Sequence, residues 1–449
     1  MVCRRPHIFA TAAADPGPRP GADGGGVLAH AVGIGRPDEG GAIVETRPPG
    51  HGVPAPPPLE GTRVVDLTRF MAGPFGTAML GDYGADVLKI EPPGEGDGAR
   101  AWGPPFAGGE SIYFLSVNRN KRSLTLNLRH PEGVALFLKL VDRADVLVEN
   151  FTPGTMTRLG IGDDVLRRRN PRLIYCAISG FGQTGPDRNR PAFDLILQGV
   201  GGVMGTTGEE GGAPVRVGVP IADIAGGMYA AYAIVLALLA RGRTGAGQSL
   251  DVSMLDAQIS WLSYYLGLYL ASGEIPPRRG SAHATVVPYQ AFACADGRYI
   301  TLGTGTDRLF RQFCEVAGVS LADDPRFGTN ADRIVHRDEL IPRLTTLFRT
   351  RPAEEWLEAL AAAGVPSGPI ATVDQIVKDP QVRAREMLVE IDHPSAGRIT
   401  IPGLPVKCSA TPGAIRRPPP RLGEHTVETL TDLGVPAEEI RRLRREGVI

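Results

Sequence analysis

Apolar positions along this chain fall into short continuous runs separated by stretches with helical spacing. Arg63 to Leu67 (RVVDL) predicts a buried strand, Ala72 to Tyr83 a helix, and Asp86 to Glu91 (DVLKIE) a second strand. A helix over Pro131 to Asp142, a strand over Asp145 to Glu149, a helix near Asp164 to Arg169 and a strand over Leu173 to Ser179 continue the alternation. Strands alternating with helices predict an α/β fold with a parallel sheet covered on both faces. The glycine-rich stretch Gly199 to Gly218 reads as a long loop. An apolar helix from Ile224 to Ala240, a strand over Ser249 to Met254 and an amphipathic helix after Asp256 follow it.

Length adds a boundary question, because a chain of 449 residues exceeds what one hydrophobic core usually serves. Residues 1 to about 57 are rich in Gly, Pro and Ala without periodicity, which predicts a disordered or over-extended start. The fragment Gly33-Ile34-Gly35 lacks the third glycine and the preceding strand of a dinucleotide loop. Around Ser272 to His283 the composition turns to Gly, Pro and Arg, as in a linker, and a smaller α+β unit is expected from about 284 to 390. Prolines from Pro402 to Pro420 mark a second irregular connection before a charged helix, Ala437 to Arg445.

Charge and cysteine usage narrow the functional classes. A formal net charge of -1 argues against nucleic-acid binding. The five cysteines are scattered, with no C-x-x-C pair, so neither a metal site nor a disulfide framework is expected and a cytoplasmic setting fits. The Ile224–Ala240 run falls short of the roughly 20 residues that span a bilayer and contains Gly226 and Gly227, so it reads as a core helix. Arg4-Arg5 precedes an apolar patch too short for a signal sequence, and no targeting or membrane segment is read.

Asp223, in VGVPIADIA, stands alone in apolar company at the start of the long apolar helix. A carboxylate there either caps the helix, the commoner role, or works as a nucleophile held ionised by the same N–H groups and dipole. Asp194 in PAFDLILQG and Asp66 in the first strand read as structural acids. Arg119, Lys121, Arg122 and Arg129 form a basic cluster that is either a solvated loop or a phosphate pocket. Ser179 lacks the G-x-S-x-G context of a nucleophile elbow, and His283 reads as a packed or capping histidine. These residues define an α/β enzyme with candidate acids, without naming its reaction.

Six collinear blocks add a family. LEGTRVVDLTRFMAGPFGTAMLGDYGADVLKIEPPGEGD, NRNKRSLTLNL, DVLVENFTPGTMTRLGI, NPRLIYCAISGFGQTGP, GRTGAGQSLDVSMLDA and LGEHTVETLTDLG resemble the class III CoA-transferases, from about Leu59 to Ile449. The resemblance implies an open, Rossmann-like α/β large domain with a smaller α+β domain, in an interlocked-ring homodimer. On that pattern residues 58–275 and 396–449 build the large domain and 276–395 the linker and small domain. It implies Asp223 as the catalytic nucleophile, working through aspartyl anhydride and aspartyl-CoA thioester intermediates, with no metal and no permanent cofactor. The implied partners are an acyl-CoA and a small carboxylic acid, with succinyl-CoA and a dicarboxylic or branched acid as the expected pair. CoA is expected along Phe70, Met71 and Ala72, with Leu126, Asn127, Arg129, Asn150 and Arg158 on the nucleotide side, and Phe193 and Asp194 near the nucleophile. Arg69, Arg100 and Arg190 are candidates for a second substrate carboxylate.

Departures from the pattern shape the rivals. Met71 stands where formyl-CoA transferase has a glutamine, Pro92 where it has a CoA-contacting arginine, and its glycine-rich loop has no counterpart near Gly280 to Gln290. Oxalate or formate specificity is therefore not expected. Racemisation of an α-methylacyl-CoA needs a histidine where this chain has Phe193, and no histidine lies between His130 and His283. An acyl-CoA hydrolase using Asp223, and a silent CoA-binding scaffold, are the remaining alternatives.

Overall fold

The computed structural model describes residues 55–449. The expectations for the chain before them (a disordered start, no targeting signal, Cys3 and the Gly33–Gly35 fragment) lie outside the described residues.

Six parallel strands form the central sheet: β1 (Arg63–Asp66), β2 (Asp86–Glu91), β3 (Lys121–Thr125), β4 (Val146–Glu149), β5 (Ile174–Ser179) and β6 (Ser249–Ser253). Their spatial order is β3-β2-β1-β4-β5-β6. The chain therefore winds outward from β1 in one direction and from β4 in the other. Loops leaving these two strands diverge at their carboxyl ends and open a crevice there, where ligands of doubly wound sheets bind.

Both faces of the sheet are covered, which is why the strands read as nearly unbroken apolar runs. On one face Leu136, Phe137 and Leu140 of helix α2 (Pro131–Val141) share a cluster with Leu430, Leu443, Val448 and Ile449 from the chain's end. That end also serves the edge strand: the His425 amide donates to Ser123 O at 2.9 Å, and the Asn127 amide to Val448 O at 2.8 Å. On the other face lie α1 (Ala72–Asp82) and α4 (Ile221–Thr244), preceded by α3 (Asp194–Val200). A Cβ on Gly76 would stand 2.5 Å from Gly227 O, and one on Gly227 2.4 Å from Ala72 O. Paired glycines thus let the α1 and α4 backbones touch, fixing the start of α4 against the turn after β1.

By length and composition α4 is apolar enough to cross a bilayer. Its Ala222, Ala225, Gly226, Gly227, Ala230, Ile234 and Ala237 are buried, whereas Met228, Tyr232, Leu236 and Leu239 are exposed. A three-stranded antiparallel sheet, β7 (Tyr289–Ala293), β8 (Tyr299–Gly303) and β9 (Ser367–Pro369), has its own cluster around Phe292, Phe310, Phe348 and Trp356.

Three expectations need correction. Gly199–Gly218 is not one long loop: α3 runs to Val200 and a further helical turn covers Val203–Thr206, because Leu195 to Val200 carry helix-forming residues that the glycine count obscured. Arg119, Lys121 and Arg122 form neither a solvated loop nor a phosphate pocket. Arg119 is bonded to Asp82, Arg122 to Asp86, and Lys121 is fully buried on β3 with its Nζ 3.0 Å from Asp66. Asp223 does not cap α4; it is the helix's third residue, and Pro220 occupies the cap position.

Candidate active site

A cavity of about 620 Å³ opens at the crevice beyond the carboxyl ends of β1, β4 and β5. It gathers Phe70, Met71, Ala72, Asn150, Phe193, Asp194 and Asp223, seven of the residues singled out in the sequence. Leu126, Asn127, Arg129 and Arg158 are not on its lining. The Leu126 side chain is in the core and its amide donates to Glu91 O, so no Leu126 side-chain contact to CoA follows from this geometry. Asn127 accepts the Arg129 amide at 3.0 Å beside the chain's end, and Arg158 donates to Thr155 Oγ1 at 2.7 Å.

The turn after β1 is built on buried charges. Lys89 Nζ lies 2.8 Å from Asp97 and donates to Thr68 O at 2.6 Å, while Asp97 accepts the Phe70 amide at 3.0 Å. Phe70 has φ +63°, a left-handed conformation that a non-glycine residue adopts only when its surroundings hold it there. So held, its ring meets Trp102 at 4.9 Å and Phe193 at 6.0 Å, and Trp102 meets Tyr113 at 4.9 Å. These rings form an aromatic wall. Beneath it, burial alone would raise the Asp66 carboxyl, but Lys121, Lys89 and the Thr68 and Thr77 hydroxyls hold it at about 2.

Asp194 begins α3 and does the capping that was one of the two sequence readings of Asp223. One of its oxygens accepts the Ala222 amide at 2.8 Å, and the other accepts Gln198 Nε2 at 2.7 Å. Gln198 is fully buried and also accepts the Val217 amide at 2.8 Å, tying the segment before α4 to α3.

Asp223 differs from its buried neighbours Asp66, Asp97, Glu149 and Asp194. Among the described residues its carboxylate has neither a hydrogen-bond donor nor a cation, and it faces the cavity. Burial, and then the charge of Asp194, push it up to about 7. Glu149, also raised to about 7 by burial, is by contrast engaged: it accepts the Phe151 amide at 2.7 Å and the Tyr175 hydroxyl at 3.1 Å.

Sequence reasoning missed Trp102, Tyr113 and Arg216 on this lining and set aside Ser179, which also lines it. Burial, with the charges of Asp223, Asp97 and Asp194, raises the Tyr113 hydroxyl. The Ser179 hydroxyl is buried without a partner at the end of β5. A polar residue closing an apolar strand was the available signal for Ser179; nothing local marks Arg216. Of the three arginines proposed for a substrate carboxylate, Arg100 is spent on Glu91 in a two-bond pair and Arg190 on Asp187. Arg69 remains on the lining, its guanidinium 4.8 Å over the Phe151 ring.

A family model described as CoA-transferase family III matches residues 59–426. The succinyl-CoA:glutarate CoA-transferase of Homo sapiens is 42% identical over 377 residues, covering 84% of this chain and 86% of its own. The acetyl-CoA:oxalate CoA-transferase of Acetobacter aceti is 42% identical over 388 residues, 85% and 98% of the two chains. A crystal structure of a CaiB/BaiF family protein from Brucella suis superposes with a TM-score of 0.75 at 40% identity, covering 84% of this chain and 100% of that one. The chain belongs to CoA-transferase family III and is an enzyme of the CoA-transferase class.

Proposed function

We propose that this enzyme moves CoA from an acyl-CoA to a free dicarboxylic acid, with Asp223 as the covalent nucleophile. The observation that carries the reading is the unpaired, half-buried carboxylate of Asp223 facing the cavity. Asp66, Asp82, Glu91, Asp97, Glu149 and Asp194, by contrast, are each bonded to a cation or a donor. A dicarboxylic acceptor is supported by the two similar enzymes named for glutarate and oxalate. The oxalate enzyme weighs against excluding that acid on the Met71 departure alone.

In this reading Asp223 attacks the donor thioester carbonyl, expelling CoA thiolate and forming a mixed anhydride. The thiolate then attacks the Asp223 carbonyl, releasing the donor acid and leaving an aspartyl-CoA thioester. The acceptor carboxylate attacks that thioester to give a second anhydride, whose acyl carbonyl the thiolate takes, freeing Asp223. Dividing the exchange this way conserves the thioester's energy, provided water is kept out. At the start of α4 the Ala222 amide is taken by Asp194 and the Ile224 amide by Pro220 O. The Asp223 amide has no acceptor among the described residues, and it is the donor available to an oxyanion formed there. A racemase reading is disfavoured because Phe193, at the cavity wall, cannot move a proton.

A homodimer completes the proposal. The outer face of α4 leaves Tyr232 61% and Leu239 59% exposed, and Trp261, Tyr269 and Leu270 on the helices after β6 are exposed as well. A surface of this kind marks an association site. Sedimentation should give a dimer, and a monomer at micromolar concentration would contradict it. Transfer itself is tested by incubating acyl-CoAs with free acids and reading new thioesters by mass spectrometry. Exchange that disappears in Asp223→Asn supports the proposal, whereas free CoA alone would indicate a hydrolase.

A further inference from the structure

Arg216 lies on the same cavity as Asp223, in the segment that leads into α4. Its backbone is anchored through the neighbouring Val217 amide, which donates to the buried Gln198. Its guanidinium is loosely held. Nη1 stands 3.8 Å from Asp194 Oδ2, beyond hydrogen-bond reach, and Nη2 donates to Gly218 O at 3.1 Å. The side chain is 50% exposed, so most of its donor fork is unused. A fixed stem with an unspent planar fork suits two-point capture of a carboxylate.

Arg69, the other arginine on the lining, belongs to a different part of the cavity. Its amide and carbonyl are both bonded to the Asn150 side chain, its guanidinium covers Phe151, and after burial and the opposing pull of Asp97 it feels the charge of Arg129. Asn150 and Phe151 follow β4, whereas Asp97 and Arg129 follow β2 and β3. Arg216 instead sits beside Asp194, whose other oxygen holds the amide next to Asp223. Arg216, Asp194 and Asp223 thus line the same cavity, with Asp194 close to the Arg216 guanidinium and bonded to the amide next to Asp223.

We propose that Arg216 is the specificity-determining residue of this enzyme, the group that binds the non-reacting carboxylate of a dicarboxylic substrate. The inference rests on the transferase reading above and adds which side chain selects the acid. Asp194 shares the guanidinium when no acid is bound, so the substrate replaces a long, weak ion pair with two charge-assisted bonds. Such bonds are worth enough to make the second carboxylate decide between acceptors.

The test measures kcat/KM for glutarate and for pentanoate, which has the same carbon chain and one carboxylate fewer. Acetyl-CoA serves as donor so that the donor brings no second carboxylate. In Arg216→Gln the preference for glutarate over pentanoate should fall at least about tenfold, chiefly through KM for glutarate, with partial recovery in Arg216→Lys. Equal losses for both acids, an unchanged preference, or a wild-type enzyme that does not prefer glutarate would each overturn the assignment. Asp223→Asn run in the same assay separates the two claims. If it remains active, the nucleophile reading fails while the Arg216 comparison still stands on its own numbers.

Discussion

Asp194 accepts the Ala222 amide at 2.8 Å, one residue before Asp223, and so stabilises the start of the helix that carries the proposed nucleophile. The same carboxylate adds its negative charge to the burial that raises Asp223. Capping and tuning thus reside in one side chain, leaving Asp223 free for the cavity.

That coupling predicts a pH profile. Asp223 attacks only as the anion, so kcat/KM should rise with pH through about 7 and level off above it. Asp194→Asn keeps an acceptor for Ala222 but removes the repelling charge, so the rising limb should move to lower pH. It should not reach the ordinary aspartate range, because burial is the larger cause. The amide introduced by that substitution would also set its NH2 against Gln198 Nε2, so a small loss of thermal stability is expected alongside. A limb that stays in place would show that Asp194 does not set the ionisation.

Stability should respond to Asp223 in the opposite sense to activity. Its carboxyl is raised in the folded state above the ordinary aspartate value, so ionising it costs stability, progressively from about pH 4 to about pH 7 and constantly above. Asp223→Asn should therefore gain thermal stability over wild type as pH rises across that window. A melting difference independent of pH would contradict the burial assigned to this group.

Below the site, Lys121 and Asp66 form a fully buried pair. Lys121→Met would leave Asp66 without its nearest cation, at a cost of about 3–5 kcal/mol by denaturant unfolding. With Asp66 held at about 2, the carboxylate's contribution is complete above about pH 4 and is lost as pH falls toward 2, while burial, outweighing the pull of Asp66, lowers Lys121 to about 8, so the charged pair persists only up to about that pH. A loss under about 1 kcal/mol would mean that the hydroxyls of Thr68 and Thr77 suffice.

The contact between α1 and α4 makes a geometric prediction. In Gly227→Ala the new methyl would meet the Ala72 carbonyl at 2.4 Å, backbone against backbone, so α4 must shift. Ala72 is on the cavity wall and Asp223 one helical turn before Gly227, so transfer should fall about tenfold or more with a stable protein remaining. Undiminished kcat would show that the site tolerates displacement of the helix.

Much of the α/β order was legible because strands buried on both faces must be apolar, as in Val146–Glu149 and Ile174–Ser179. The aspartate in the first turn of the long apolar helix was legible for the same reason: Asp223 interrupts a run that otherwise has no charge. What escaped depended on partners distant in sequence. Lys121 looks like a surface cation until Asp66, on a strand two places away, is seen to neutralise it. Asp194 and Ala222 are separated by 28 positions, so the identity of the helix cap could not be read locally. Arg216 lies in a glycine-rich stretch with no periodicity and becomes visible only through the cavity it lines.

Covalent chemistry at Asp223 would be read by peptide mapping of the donor-charged enzyme. The protein would be incubated with acyl-CoA in the absence of acceptor, treated with borohydride to reduce any protein thioester, and digested for mass spectrometry. Reduction of the Asp223 side chain to an alcohol is expected, dependent on acyl-CoA and absent in Asp223→Asn. An unmodified Asp223 in an enzyme that turns over, or modification at Asp194 instead, would contradict it.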